Sequence, residues 1–196
     1  MIRKNNFFKS YFKNSKKYNI NLKKTKKAFS SFLKNLEDNK FPLLNSYKKD
    51  YEFNFSKETI KKFSKYKNII IIGMGGSILG SKSIYSFFKK KIKKELFFFD
   101  NLDPNLNEEL RKKNFLKKSC FIIVSKSGNT LETITNFNTL NIKKSFKNKI
   151  IFITEITKNQ LISLANNYKA AVIEHNDYIG GRFSVLSEAS MFPASL

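Results

Sequence analysis

Cysteine and arginine are scarce in this chain and long apolar runs are missing, and each shortage excludes something. The single cysteine, Cys120, cannot form an internal disulfide; it fits a reducing compartment, and its place in an apolar run predicts a buried structural thiol. No apolar stretch approaches the roughly 18–20 residues of a membrane span, and the N-terminus lacks the apolar segment of a secretory signal. Only Arg3, Arg111 and Arg182 are arginine among 38 basic residues. Base and phosphate recognition favours the planar guanidinium fork, so a lysine-dominated charge is a poor match to sequence-specific nucleic-acid binding. Residues 1–36 contain no acidic residue, as in a transit peptide, but such peptides are normally arginine-rich.

What is present suits a soluble globular protein: 196 residues, 41% hydrophobic, with a mean hydropathy of -0.41. That length can bury a proper core, with one domain as the default. The formal charge of +23 is unevenly spread: residues 1–68 carry 19 basic and 5 acidic groups, residues 121–196 only 8 and 5. Lysine, asparagine, isoleucine and phenylalanine are all abundant and all have A/T-rich codons. Base composition therefore accounts for much of the charge, which reads as a solvated basic face with non-specific polyanion binding as a side effect.

The chain divides by grammar at about residue 68. Before it, a basic helical segment (1–67) is expected, with a helix near Lys23–Leu36 where Phe29, Phe32, Leu33 and Leu36 recur at helical spacing. A short helix follows from Ser56 to about Tyr66. From Asn68 onward the pattern becomes strand, polar or glycine turn, helix. Strands are predicted at Ile69–Ile72, Leu96–Phe99, Cys120–Val124, Ile150–Ile153 and Ala170–Ile173. Helices are predicted at Ser77–Lys90, from Asp103-Pro104 to Asn114, at Thr130–Phe146 and at Lys158–Asn167. Short, continuously apolar strands between amphipathic helices predict an α/β fold: a three-layer αβα sandwich around a five-stranded parallel, doubly wound sheet.

Three turns carry the chemistry. Ser125-Lys126-Ser127-Gly128-Asn129-Thr130 joins a strand to a helix, where unpaired N–H groups and the helix dipole favour an anion. Hydroxyls add donors of adjustable direction, and Lys126 adds a full charge; a phosphate monoester suits such a turn. Gly73-Met74-Gly75-Gly76-Ser77 follows the first predicted strand and allows close backbone approach. A dinucleotide turn would want glycine where Ile78 stands, although Asp100 ends the second strand at a distance suited to a ribose hydroxyl. With strand order 2-1-3-4-5, both turns open on one crevice at the switch point, which favours a single small anion over a nicotinamide cofactor. The third segment, Gly180-Gly181-Arg182-Phe183-Ser184-Val185-Leu186-Ser187, sets an arginine beside paired glycines.

Together these segments closely resemble the glucose-6-phosphate isomerase family from about Asn68 to the last residue. The Ser-x-Ser-Gly-x-Thr turn is shared by sugar isomerase (SIS) domains generally, whereas Gly180–Ser187, preceded by Asp177, is more particular to the family. Ser190 departs from it, since glycine is usual there. The resemblance implies that Gly75, Gly76, Ser77, Ser125, Lys126, Ser127 and Thr130 hold a hexose 6-phosphate. It places Arg182, with Gly181 beside it, near C1–C2 of the open-chain sugar, stabilising the enediolate. Glu132 has either a supporting role or only an early-helix place favoured by the dipole. No metal or cofactor is implied. The expected setting is cytoplasmic, with no specific nucleic-acid partner and no membrane, and family members commonly form homodimers. The family's glutamate base, catalytic histidine and lysine, and substrate-binding glutamine come later in the chain than Leu196; the sole histidine, His175, does not match. A fragment is therefore expected, carrying the phosphate site and Arg182 without a general base and lacking the second SIS domain. The alternative is a non-catalytic SIS module that binds phosphosugars.

Overall fold

The computed structural model describes residues 16–103 and 115–196; the helix expected from Pro104 to Asn114 lies outside them. Two compact units are present, Met1–Pro42 and Leu43–Leu196. In the first, helix α1 spans Lys16–Glu37, starting earlier than the periodicity of its phenylalanines suggested. The first α-helix of the second unit is α2 (Lys57–Ser64), capped by the Ser56 side chain, which accepts from Thr59 N–H. Its Phe63 is fully buried, so this helix belongs to the core.

The remaining elements alternate: β1 (Asn68–Gly73), α3 (Gly76–Phe88), β2 (Glu95–Phe99), β3 (Ser119–Val124), α4 (Leu131–Thr139), β4 (Ile150–Thr154), α5 (Gln160–Tyr168), β5 (Ala171–Glu174) and α6 (Glu188–Ala194). The five strands are all parallel in the order β2-β1-β3-β4-β5. Strands β1, β3 and β4 are buried at every position, because side chains alternate between two covered faces. One face carries Ile70, Ile72, Phe121, Ile123 and Phe152 under Ile134 and Phe137 of α4 and Leu161 of α5. The other carries Ile69, Ile71, Ile122, Ile151 and Ile153 under Phe63 of α2, Ile78 of α3 and Phe192 of α6. Cys120 sits in this second layer, where burial pushes its thiol up to about 12, so it is an inert packing group.

Two helices differ from the sequence reading. The helix expected from Thr130 to Phe146 ends at Thr139, because Asn141 takes a left-handed conformation (φ 46°) that lets Ile142 fold back into the core. In α3 only some of the large apolar residues are buried: Leu79, Phe87 and Phe88 are exposed, while Gly80 and Ser81 are buried beside Ile78. A Cβ on Gly80 would lie 2.3 Å from Ser190 Oγ, so the crossing of α3 and α6 has room for one side chain, which Ser190 fills. Its buried hydroxyl finds no partner among the described residues.

Candidate functional site

The three chemically marked turns are carried to the C-terminal end of the sheet by strands in register. Gly73 and Val124 are paired at the ends of β1 and β3, so the turn after each begins beside the other. Where sheet order reverses around β1 and β3, the helices that follow leave on opposite faces, which opens the crevice between them.

Helices α3 and α4 start at this crevice with Gly75 and Thr130 as N-caps, and neither has a side-chain cap hydrogen bond. By contrast α2 and α5 are capped by Ser56 and Asn159. Both helix starts thus keep the positive dipole end that attracts an anion. In α3 the N–H groups of Ser77 and Ile78 already bond to Met74 O and Gly75 O, whereas in α4 the first turn's N–H groups are not taken up by a cap side chain. Gly75 has φ 54°, with nothing within 4 Å of a Cβ built there. Ser77 is half-buried in the first turn of α3, its N–H donating to Met74 O at 3.2 Å.

In the second turn, Ser125 is buried and its hydroxyl pairs with that of Thr130 at 2.8 Å, which orients both across the loop. Ser127 is exposed, and its Oγ accepts from Asn129 N–H at 3.3 Å. Gly128 has φ 68°, and a Cβ there would lie 2.1 Å from Asn159 Oδ1. This turn is latched onto the start of α5: Leu161 N–H donates to Gly128 O and Gln160 N–H to Asn129 Oδ1, each at 3.0 Å. Asn159 and Thr154, whose hydroxyl donates to Lys126 O at 3.2 Å, were missed as supports. The signal for Asn159 was its residue type one place before a helical pattern.

Lys126 points toward the third segment. Its ammonium donates to Asp177 O at 2.6 Å and pairs with Glu155 at 3.4 Å, tying the second turn to the loop after β5. Glu132 is exposed in the first turn of α4.

The third segment folds as a 3₁₀ helix, Gly181–Leu186, which brings its backbone against the first turn. A Cβ on Gly76 would lie 1.9 Å from Gly181 O and 2.9 Å from Arg182 N. Ser184 Oγ lies 2.9 Å from Gly76 O and 2.7 Å from Gly181 O, so one hydroxyl bridges the two chains. Gly76 and Gly181 are therefore neighbours although 105 positions apart in the chain. Arg182 is exposed, its guanidinium carbon 5.8 Å from the Phe183 ring centroid, and nothing lies within 4 Å of a Cβ built on Gly181. Space remains open beside the cation.

A second support also escaped sequence reading. Glu188, at the start of α6, is fully buried and accepts from Tyr51 O–H at 2.9 Å and Asn54 N–H at 3.3 Å. Asn176 in turn donates to Tyr51 Oη at 2.8 Å. Burial, followed by the Glu188 carboxylate, raises the Tyr51 phenol well above its usual range, so it stays protonated, donating to Glu188 while its oxygen accepts from Asn176. This network holds the two ends of the Arg182 segment, at Asn176 and Glu188, to one stretch of chain.

His175 lies beside that network, almost wholly buried, with Nδ1 3.1 Å from Asn176 O. Burial lowers its pKa, so the neutral ring is the folded form. The unfolded chain then binds the proton more readily, and the stability from this group is complete above about pH 6.5 and lost as pH falls below it. His175 is the sole histidine. The unfolding free energy from urea melts should therefore fall as pH drops below about 6.5, by up to about 1.4 kcal/mol per pH unit, and His175→Gln should flatten that slope.

An apolar groove of about 510 Å³ lies elsewhere, lined by Ile69, Ile84, Phe88, Leu96, Met191 and Leu196 among others. Its lining is mainly apolar, with Ser81, Lys91 and Lys94 among it, and of the three chemically marked turns it takes in only Leu186. Among the described residues no three or more His, Cys, Asp and Glu gather as metal ligands, and no helix is long and apolar enough to cross a membrane.

A parallel sheet of this order, covered on both faces and bearing a Ser-x-Ser-Gly-x-Thr turn at its switch point, is the architecture of the sugar isomerase (SIS) class. The crystal structure of a glucose-6-phosphate isomerase from Chlamydia trachomatis shares the fold, with a TM-score of 0.58 at 23% identity over 76% of this chain and 32% of that one. The phosphoglucose isomerase family model matches residues 52–196, and the chain belongs to that family. Among curated relatives, the glucose-6-phosphate isomerase of Methanocaldococcus jannaschii is 40% identical over 147 residues, covering 73% of this chain and 35% of the relative. That of Borrelia garinii is 36% identical over 176 residues, covering 80% of this chain and 33% of the relative. The chain thus spans about a third of the length of the curated relatives it matches.

Proposed function

We propose that this chain supplies the phosphosugar-binding part of an isomerase that interconverts glucose 6-phosphate and fructose 6-phosphate through an enediolate. In this reading the N–H groups and hydroxyls of Gly75, Gly76, Ser77, Ser125, Ser127 and Thr130 hold the phosphate, and Lys126 adds positive charge at the edge of the site. Arg182 stabilises negative charge on the enediolate oxygens, a task suited to a permanent cation, and the open side of Gly181 leaves room for the sugar. The observation that carries the reading is the contact of Gly76 with Gly181, which sets an anion-type turn and the arginine segment side by side. Residues 68–196 form the SIS-type domain in this reading, its work cytoplasmic and its assembled form a homodimer.

No carboxylate or imidazole within residues 1–196 is assigned the proton transfer between C1 and C2: His175 is buried in a structural network and Glu132 has a supporting place. Calorimetric titration of residues 1–196 should therefore show binding of both hexose 6-phosphates without turnover, and none of unphosphorylated glucose. Ser125→Ala should weaken binding about tenfold, the size of a lost hydrogen bond to a charged group. Arg182→Ala should leave affinity within about twofold, because its contribution falls mainly in the transition state. A loss at Arg182 as large as that at Ser125 would favour a plain phosphosugar-binding module, and isomerase activity from residues 1–196 would refute the missing base.

A further inference from the structure

Helix α1 lies outside the family match, which begins at residue 52, and the phosphosugar reading gives it no task. Over its 22 residues it carries seven lysines and one acid, Glu37, and none of its residues is buried. At about 100° per residue, Leu22, Phe29, Phe32, Leu33 and Leu36 fall in one stripe about 100° wide. Lys16, Lys23, Lys27 and Lys34 cluster on the opposite side, with Lys17, Lys24 and Lys26 on the flanks. Ile20 alone among the large aliphatic residues breaks the segregation. The stripe is open to water: Phe29 is 59% exposed, Phe32 45% and Leu33 42%. Among the described residues of its own unit, Phe41 packs on the stripe, its ring centroid 5.5 Å from that of Phe32.

We propose that α1 lies in the surface of an anionic lipid bilayer, with the phenylalanine stripe in the acyl boundary and the lysines at the phosphate level. A helix with one apolar face, a strongly basic opposite face and little overall hydrophobicity suits that interface and cannot span it. A nucleic acid would use the lysines and leave Phe29, Phe32 and Leu33 in water. Pairing two copies would cover the stripe but bring together two helices, each with seven lysines against one glutamate. An anionic bilayer satisfies both faces at once. The absence of any run long enough to span excluded only crossing, and this mode of contact is different. It is also independent of what the crevice binds.

Co-sedimentation of residues 1–196 with vesicles tests the proposal, using phosphatidylcholine alone and phosphatidylcholine with about one third phosphatidylglycerol. The chain should bind the anionic vesicles at least tenfold more tightly than the neutral ones. It should bind Phe29→Glu/Phe32→Glu at least tenfold more weakly than the parent, with an unchanged urea midpoint showing that the second unit remains folded. Lys23→Glu/Lys27→Glu should lose the preference for anionic vesicles. No vesicle binding overturns the proposal. So does unchanged binding by the phenylalanine variant, which would mean that lysines alone hold the protein to any polyanion. Light scattering that shows a dimer abolished by Phe29→Glu/Phe32→Glu, without vesicle binding, would assign the stripe to a second copy instead.

Discussion

Gly76→Ala is expected to destabilise the second unit by about 3 kcal/mol and to abolish hexose-phosphate binding, although it adds a single methyl group. The new Cβ would stand 1.9 Å from Gly181 O and 2.9 Å from Arg182 N. Those are main-chain atoms, and Ser184 pins both strands of the contact through Gly76 O and Gly181 O. No side-chain rotation relieves the clash; the arginine segment must move off α3 and take the open space with it. Gly181→Ala is the internal control, because nothing lies within 4 Å of its Cβ. It should change the unfolding free energy by no more than about 0.5 kcal/mol. If both variants behave alike, the close approach of the two segments is not the feature that matters.

Gly128→Ala should be nearly as damaging, by two separable effects. At φ 68° an alanine costs about 1–2 kcal/mol in backbone conformation. Its Cβ would also stand 2.1 Å from Asn159 Oδ1, the atom that accepts from Ile162 N–H and caps α5. Losing such a cap costs about 1 kcal/mol, so a total near 3 kcal/mol is expected. Asn159→Ala separates the parts: it should account for about 1 kcal/mol alone and reduce the further cost of Gly128→Ala. Strict additivity of the two substitutions in urea melts would sink the argument that they act through one contact.

How much of this was legible beforehand depends on sequence distance. Strands such as Ile69–Ile72 and Cys120–Val124 announced themselves because both faces of a parallel sheet are buried, and the strand order that would bring two turns together is the one observed. Turns after β1 and β3 were legible because glycine and hydroxyl residues occur there for local reasons. The end of α4 was not, since a left-handed Asn141 depends on Ile142 finding the core. Nor was the burial of Gly80 and Ser81 in place of Leu79 and Phe87, which follows from how closely α6 crosses α3. Glu188 was unreadable for the same reason. A lone carboxylate in an apolar segment gains meaning only when Tyr51 and Asn54, 137 and 134 positions away, close on it.

Four of the seven glycines, Gly73, Gly76, Gly80 and Gly128, stand where an added Cβ would come within 3 Å of another atom. Glycine codons are rich in G and C, so a lineage drifting toward A and T is under pressure to lose them. Such drift can recolour the solvent side with lysine and asparagine at little structural cost, whereas a replacement at these four positions meets an immediate clash. The chain's mutational tolerance is accordingly lopsided: a permissive exterior around four positions where even the smallest side chain is too large, crowded by main chain at Gly73 and Gly76 and by the side chains of Ser190 and Asn159 at Gly80 and Gly128.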